Sequence, residues 1–252
     1  MVALTYLAVA AAAVSGAFAA PAASTASDPP DFEFGPHLAR RQDYNQNYKT
    51  GGNVNFNPGS NGYSVSFSGA GDFVVGKGWK KGSDRYVHFA PRLVCALLIS
   101  AVIHQQTSHP NTPHSRNITF TGSTTRSSGT VLVSVYGWTR NPLVEYYVQE
   151  WTSDGKGSAQ GQKLGTFESD GGTYEIWKHQ QVNQPSIQGT STFWQYISNR
   201  VDKKADGSTI TIANHFAAWA KAGLNLGTHD YQVLATEGWG NAGGNSQYTL
   251  KG

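Results

Sequence analysis

From Asn53 onward the chain is written as short β-prone runs, each cut off by Gly, Asn, Ser or Pro, and very little of it has a helical period. The clearest runs are Val54–Asn57, Tyr63–Ser68, Phe73–Val75, Asn117–Thr121, Thr130–Trp138, Val144–Trp151, Thr173–Gln181 and Tyr231–Glu237. Segments this short cannot bury an apolar face as helices. They have to pair edge to edge, which predicts an all-β sandwich or jelly roll.

Two runs show which faces would be buried. In Val131–Trp138 one face carries Val131, Val133 and Val135, and the other Leu132, Ser134, Tyr136 and Trp138. In Leu143–Trp151 one face carries Val144, Tyr146 and Val148, and the other Glu145, Tyr147, Gln149 and Trp151. Side chains alternate across a strand. An apolar face backed by carboxylate, phenol, amide and indole describes a sheet that lines a polar groove, because a solvated face would more often carry Lys, Thr and Ser. One helix is expected, over Asn214–Ala222, stopping at Gly223, with Phe216, Trp219 and Ala220 packed on the sheet and His215 a satisfied buried histidine.

Composition narrows the class further. Charged residues make up 14% of the chain and the net charge is +3, too small and too dispersed for a nucleic-acid partner. Aromatic residues reach 12%, with 12 Tyr and 7 Trp. Such rings fill β-cores, and they also stack on the apolar C–H faces of sugars. Val2–Phe18 is an apolar run too short to span a bilayer, ending in Ala17-Phe18-Ala19-Ala20, so residues 1–19 read as a signal peptide. A Pro/Ala-rich stretch leads to the dibasic pair Arg40-Arg41, which makes 20–41 a propeptide and Gln42 the mature start of a secreted, extracellular domain over 42–252. The single cysteine, Cys95, leaves no internal disulfide.

One stretch is foreign to the rest. Residues 86–115 contain no Gly and no acidic residue, but four His, three Pro, the only Cys and an apolar run from Leu93 to Ile103. A structureless loop of this length inside a compact domain is unusual. We read it as a translated, retained intron. The codons of Arg85-Tyr86-Val87 can hold a donor site and those of His114-Ser115 an acceptor, and joining Arg85 to Arg116 leaves a short turn.

Four sequence words carry a family resemblance, in the family's order: Phe73-Val74-Val75-Gly76-Lys77-Gly78-Trp79, Val135–Tyr147 with its Asn141-Pro142-Leu143-Val144-Glu145-Tyr146-Tyr147, Val182-Asn183-Gln184-Pro185-Ser186-Ile187, and Ala235-Thr236-Glu237-Gly238. Together they resemble the family 11 glycoside hydrolase xylanases. The resemblance implies a β-jelly-roll of two curved antiparallel sheets packed face to face, with one helix, a long cleft for xylan, and a retaining endo-1,4-β-xylanase. By motif match Glu145 is the nucleophile and Glu237 the general acid/base. A retaining glycosidase holds two such carboxyls about 5–5.5 Å apart, and their mutual repulsion keeps one protonated. The resemblance also implies that Tyr136, Trp138, Tyr147 and Gln195 bind the sugar around the cleavage point, that Pro185 and Ser186 form the tip of a thumb loop, and that Asp72 couples to Glu237 and lowers the pH of activity. Tyr48 stands where the family often places a stacking tryptophan, and Gln181 where it often places arginine. No cofactor, metal, nucleic acid or membrane is implied, and the protein is expected to be a monomer. A carbohydrate-binding lectin on the same fold stays open as the alternative, as does a form inactivated by the insert, although a binding module has no need of a carboxylate pair.

Overall fold

The computed structural model describes residues 42–80 and 116–251 of the 252. The expected signal peptide (1–19), the expected propeptide (20–41) and the 86–115 stretch lie outside those residues. The described chain forms β1 (Tyr44–Lys49), β2 (Asn53–Pro58), β3 (Gly62–Lys80), β4 (Asn117–Arg140), β5 (Val144–Thr152), β6 (Gln162–Ser169), β7 (Gly172–Gln184), β8 (Ser191–Arg200), β9 (Gly207–Thr211), α1 (Ile212–Lys221) and β10 (Thr228–Lys251).

The strands join in one hydrogen-bonded sheet ordered β1-β3-β10-β4-β5-β8-β7-β6, with β2 on β3 and β9 on β4. The two expected sheets are therefore two halves of one folded ribbon. β3, β4 and β10 run for 19, 24 and 24 residues, and each bends so that its own halves face one another. Tyr63 is paired in register with Tyr248, yet its hydroxyl lies 2.9 Å from Thr236 Oγ1, far along the same β10. Within β3 the Phe67 and Phe73 rings sit 4.9 Å apart. The bend in β10 falls where its register shifts, between Trp239 and Gly244, as bulges and glycines at such points allow.

Pairing is not purely antiparallel. β5 and β8 run parallel, because the β6–β7 hairpin carries the chain out to the sheet edge before β8 returns beside β5. Nor are β3 and β4 a hairpin, since β10 runs between them. Their flanks still meet, with the Arg116 guanidinium 4.3 Å above the Trp79 ring, so a short connection would suffice to link them.

The alternation expected for β4 and β5 holds. Val131, Val133, Val135, Val144, Tyr146 and Val148 enter the core between the layers. Leu132, Tyr136, Trp138 and Tyr147 form a second apolar cluster on the opposite face, together with Val233 and Ala235 of β10. Trp151 is the exception. Val133 pairs with Trp151 but Ser134 with Gln149, which leaves Glu150 as an extra bulge residue. One inserted residue reverses the face of everything beyond it, so Trp151 packs on the core and not in the groove.

The helix buries Ile212, His215 and Trp219, with Phe216 packed alongside. Ala220 is exposed, contrary to expectation, because it follows Trp219 by 100° around the axis. The helix ends where Gly223, at φ +77°, turns its N–H to the Ala220 carbonyl. His215 is fully buried, but neither ring nitrogen has a hydrogen-bond partner among the described residues, so it is not a satisfied histidine. The eight expected strands miss β1, β6, β8 and β9. β1 is a short edge segment without branched residues, Tyr-Asn-Gln-Asn-Tyr-Lys, β6 is an edge strand and β9 has only five residues, whereas β8 is a ten-residue inner strand.

Candidate active site

The site starts from the register of β4 and β5, which sets Tyr136 opposite Tyr147 and Trp138 opposite Glu145. Gly137 between them is required. A Cβ there would meet the Tyr146 hydroxyl at 2.3 Å, and that hydroxyl in turn accepts from Gln232 Nε2 at 3.1 Å. The parallel pairing of β5 with β8 then places Gln195 directly opposite Glu145.

These placements surround Glu145 with donors. The Tyr136 hydroxyl donates to its Oε1 at 2.7 Å, and Gln195 Nε2 donates to its Oε2 at 2.7 Å. The Trp138 indole N–H donates to the Tyr136 hydroxyl at 2.6 Å, and Gln181 Nε2 donates to Gln195 Oε1 at 3.2 Å, so both donors are themselves held. Glu237 approaches from β10, on the other side of β4, with its Oε2 unpaired among the described residues. Each carboxyl side chain belongs to a residue only 8% exposed.

The environments push the two acids apart. Burial raises Glu145, but the hydrogen bonds from Gln195, Tyr136 and Tyr147 work against it by stabilising the carboxylate. Burial raises Glu237 well above the usual range, and the charges of Glu145 and Asp72 add to the rise, with only Tyr147 opposing. Both carboxyls are raised, Glu237 the further of the two, so a proton shared by the pair favours Glu237. That pair can attack an electrophilic carbon from one side and protonate a leaving oxygen from the other.

Both acids open on a cleft of about 390 Å³. Every site residue singled out in the sequence lines it: Tyr48, Asp72, Tyr136, Trp138, Glu145, Tyr147, Pro185, Ser186, Gln195 and Glu237. Two of them sit differently from expectation. Trp138 is only 3% exposed and packs tilted on Phe193 with centroids 4.8 Å apart, and its indole N–H is directed to the Tyr136 hydroxyl. Asp72 stands at the rim, where Thr50 brackets its backbone, and it is a diagonal neighbour of Glu237 across β3 and β10. It reaches Glu237 through its charge, and no direct hydrogen bond joins the two among the side-chain contacts. Partial burial raises the Asp72 carboxyl as well.

The sequence reading missed Tyr44, Gln46, Phe193, Gln184, Ile187 and Tyr231 as lining residues. Period-2 counting would have found several. Tyr231 lies on the face of Glu237, Phe193 on that of Gln195, and Tyr44 and Gln46 on that of Tyr48. Tyr44 and Tyr231 meet with ring centroids 4.6 Å apart and extend the aromatic wall of the cleft.

Known proteins share this arrangement. The family model described as "Glycosyl hydrolases family 11" matches residues 40–96 and 102–248. Endo-1,4-beta-xylanase 1 of Hypocrea jecorina is 44% identical over 221 residues, covering 86% of this chain and 82% of its own. Endo-1,4-beta-xylanase B of Talaromyces funiculosus is 44% identical over 233 residues, covering 89% of this chain and 69% of its own. A solved endo-1,4-beta-xylanase structure from Trichoderma reesei is 42% identical with a TM-score of 0.68, covering 84% of this chain and 99% of that one. Family and cleft agree, and the chain belongs to the glycosyl hydrolases of family 11.

Proposed function

We infer that this chain is an endo-1,4-β-xylanase that hydrolyses xylan in two displacements with net retention at the anomeric carbon. The observation that carries this reading is the contrast between the two buried carboxyls, one with donors on both oxygens and the other with its Oε2 unpaired and its pKa raised well above the usual range. Glu145, held ionised and aimed by Tyr136 and Gln195, attacks the anomeric carbon while Glu237 gives its proton to the departing glycosidic oxygen. The C–O bond breaks, and a glycosyl ester forms on Glu145. Glu237, now a carboxylate, then takes a proton from water, whose oxygen displaces Glu145 and returns the enzyme to its starting state. Tyr44 and Tyr48 supply faces for neighbouring xylose rings, with Tyr231 backing the Tyr44 ring, and Pro185 and Ser186 cover the chain from the thumb. A lectin on this fold would gain nothing from burying two carboxyls at the desolvation cost this site bears. Incubation with a xylo-oligosaccharide under one-dimensional proton NMR should show the β-anomer first, with the α-anomer appearing only by mutarotation. An α-anomer that appears first would overturn the mechanism.

Asp72 sets the pH range in this proposal. While Asp72 is ionised it competes with the glycosidic oxygen for the Glu237 proton, so the donor works best while Asp72 is itself protonated. Burial raises Asp72, and because the donor works best while this carboxyl is protonated, the working window is acidic, below about pH 5.5. In Asp72→Asn the basic limb is set by Glu237 alone; burial and the Glu145 charge still raise that carboxyl once the Asp72 charge is gone, so the limb should move toward neutrality. A kcat/KM profile with its basic limb unmoved would show that Asp72 does not hold the donor proton.

We also propose that the working enzyme is the secreted domain that follows Arg41, without residues 86–115. The approach of Arg116 to Trp79 supports a short connection between β3 and β4.

A further inference from the structure

The turn between β7 and β8 is bonded almost wholly to itself. Ser186 N–H donates to the Gly189 carbonyl at 3.0 Å, Gly189 N–H to the Ser186 carbonyl at 3.2 Å, and Ser186 Oγ to the Gly189 carbonyl at 2.6 Å. Gln188 N–H donates to Ser186 Oγ at 3.0 Å. Two more bonds tie it to Ser191 at the start of β8, Ser186 Oγ to Ser191 Oγ and Ser191 Oγ to the Gly189 carbonyl, each at 3.3 Å. Among the described residues, one hydrogen bond joins this tip to the fold beyond the β7–β8 hairpin: an Arg140 terminal guanidinium nitrogen donates to the Ile187 carbonyl at 3.4 Å. The only other anchor described is the Ile187 side chain, which packs on the concave-face cluster.

Arg140 is itself held in place. It is the last residue of β4, and its Nε donates to Asp230 Oδ2 at 2.7 Å on the neighbouring β10. Asp230 adjoins Tyr231, which carries the Tyr44 ring. One planar fork therefore bridges three parts of the cleft: its Nε grips the β10 wall, and its outer nitrogen reaches the thumb. Only arginine can do both, because lysine offers a single compact cation that cannot span two acceptors in this fashion.

Building on the xylanase reading, we propose that Arg140, tethered by Asp230, is a positioning residue that straps the thumb tip over bound xylan through the Ile187 carbonyl. The bond at 3.4 Å is long for an N–H···O contact. It leaves the tip lightly held in the free enzyme, and substrate beneath Pro185 and Ser186 gives it reason to tighten. The strap contributes to holding the chain, and it releases when product leaves.

Arg140→Lys separates a strap from a plain ion pair, because lysine keeps the charge opposite Asp230 but loses the fork. KM for xylohexaose should rise about three- to tenfold, which matches the loss of one ordinary hydrogen bond, as suits a contact this long. The kcat should stay level or increase, and Tm should change little. Asp230→Asn, which leaves the guanidinium untethered, should move KM in the same direction. A wild-type KM in Arg140→Lys, with any effect confined to Tm, would overturn the strap. If the wild-type chain bound xylohexaose without cleaving it, the hydrolase reading would fail on its own. The same titration would then decide the strap, because Arg140→Lys must still weaken binding.

Discussion

Glu145→Gln should lose at least about a thousandfold in kcat while binding xylohexaose nearly as well as the parent enzyme, because removing the nucleophile abolishes the covalent route and leaves the cleft in place. The substitution suits the site. The new amide oxygen can still accept from Gln195 Nε2, and the new NH₂ can donate to the Tyr136 hydroxyl, which accepts from Trp138 on another lone pair. A folded, binding-competent protein is therefore expected, and calorimetric titration beside a thermal melt checks it. An aryl xyloside with an acidic phenol leaving group assigns the roles. Such a leaving group needs no proton, so Glu237→Gln should still release a burst of phenol, whereas Glu145→Gln should release none. Turnover above a few per cent of wild type in Glu145→Gln would remove Glu145 from the role of nucleophile.

The cleft was legible in sequence wherever period-2 alternation ran unbroken. Glu145, Tyr147 and Tyr136 followed from alternation in β4 and β5, and the resemblance added Glu237 and Gln195, which no local pattern distinguishes. Legibility failed where the pattern depends on what lies opposite. The Glu150 bulge sends Trp151 to the core, and only its partner strand reveals it, through Val133 and Ser134 facing Trp151 and Gln149. The parallel seating of β8 beside β5 is invisible locally, yet it aims Gln195 at Glu145. Likewise, the long strands read as fragments because their bends carry Gly and Asn, as at Gly240-Asn241 in β10, where sequence signals a turn and the sheet merely folds over. The buried network behind the cleft left no trace at all. Glu150, bonded to Tyr174 at 2.5 Å and to Arg200 at 3.3 Å, is scattered over three strands.

That buried layer yields the second large effect. His215 lies on the buried face of α1 with its ring edge-on to Tyr174 at 4.6 Å and to Phe167 at 5.1 Å, and no acceptor or donor meets either nitrogen among the described residues. Burial holds its pKa down to about 3, the attraction of Asp170 falling short of that cost and the Arg200 charge adding to it. Arg200 in turn is bonded to the Tyr174 hydroxyl and paired with Glu150. The unfolded chain protonates this imidazole near pH 6.5 and the folded chain only near pH 3, so acid favours the unfolded state. Stability from this source is full above pH 6.5, falls steadily below it, and is exhausted near pH 3. At pH 4 the loss is about 3 kcal/mol, from roughly 1.4 kcal/mol for each pH unit below the unfolded value. His215→Leu removes the titration and leaves no unpaired nitrogen. Its melting temperature relative to wild type should therefore climb as pH falls, by roughly 7–12 °C between pH 7 and pH 4 for a domain of this size. Any packing cost of leucine shifts that difference equally at every pH, so the slope carries the inference. A difference that stayed flat from pH 7 to pH 4 would mean that the buried ring finds a partner when protonated, with the Asp170 carboxylate the nearest candidate. If the slope appears, the acid limit on this enzyme's lifetime is set beneath the helix, apart from the carboxyls that set its acid activity.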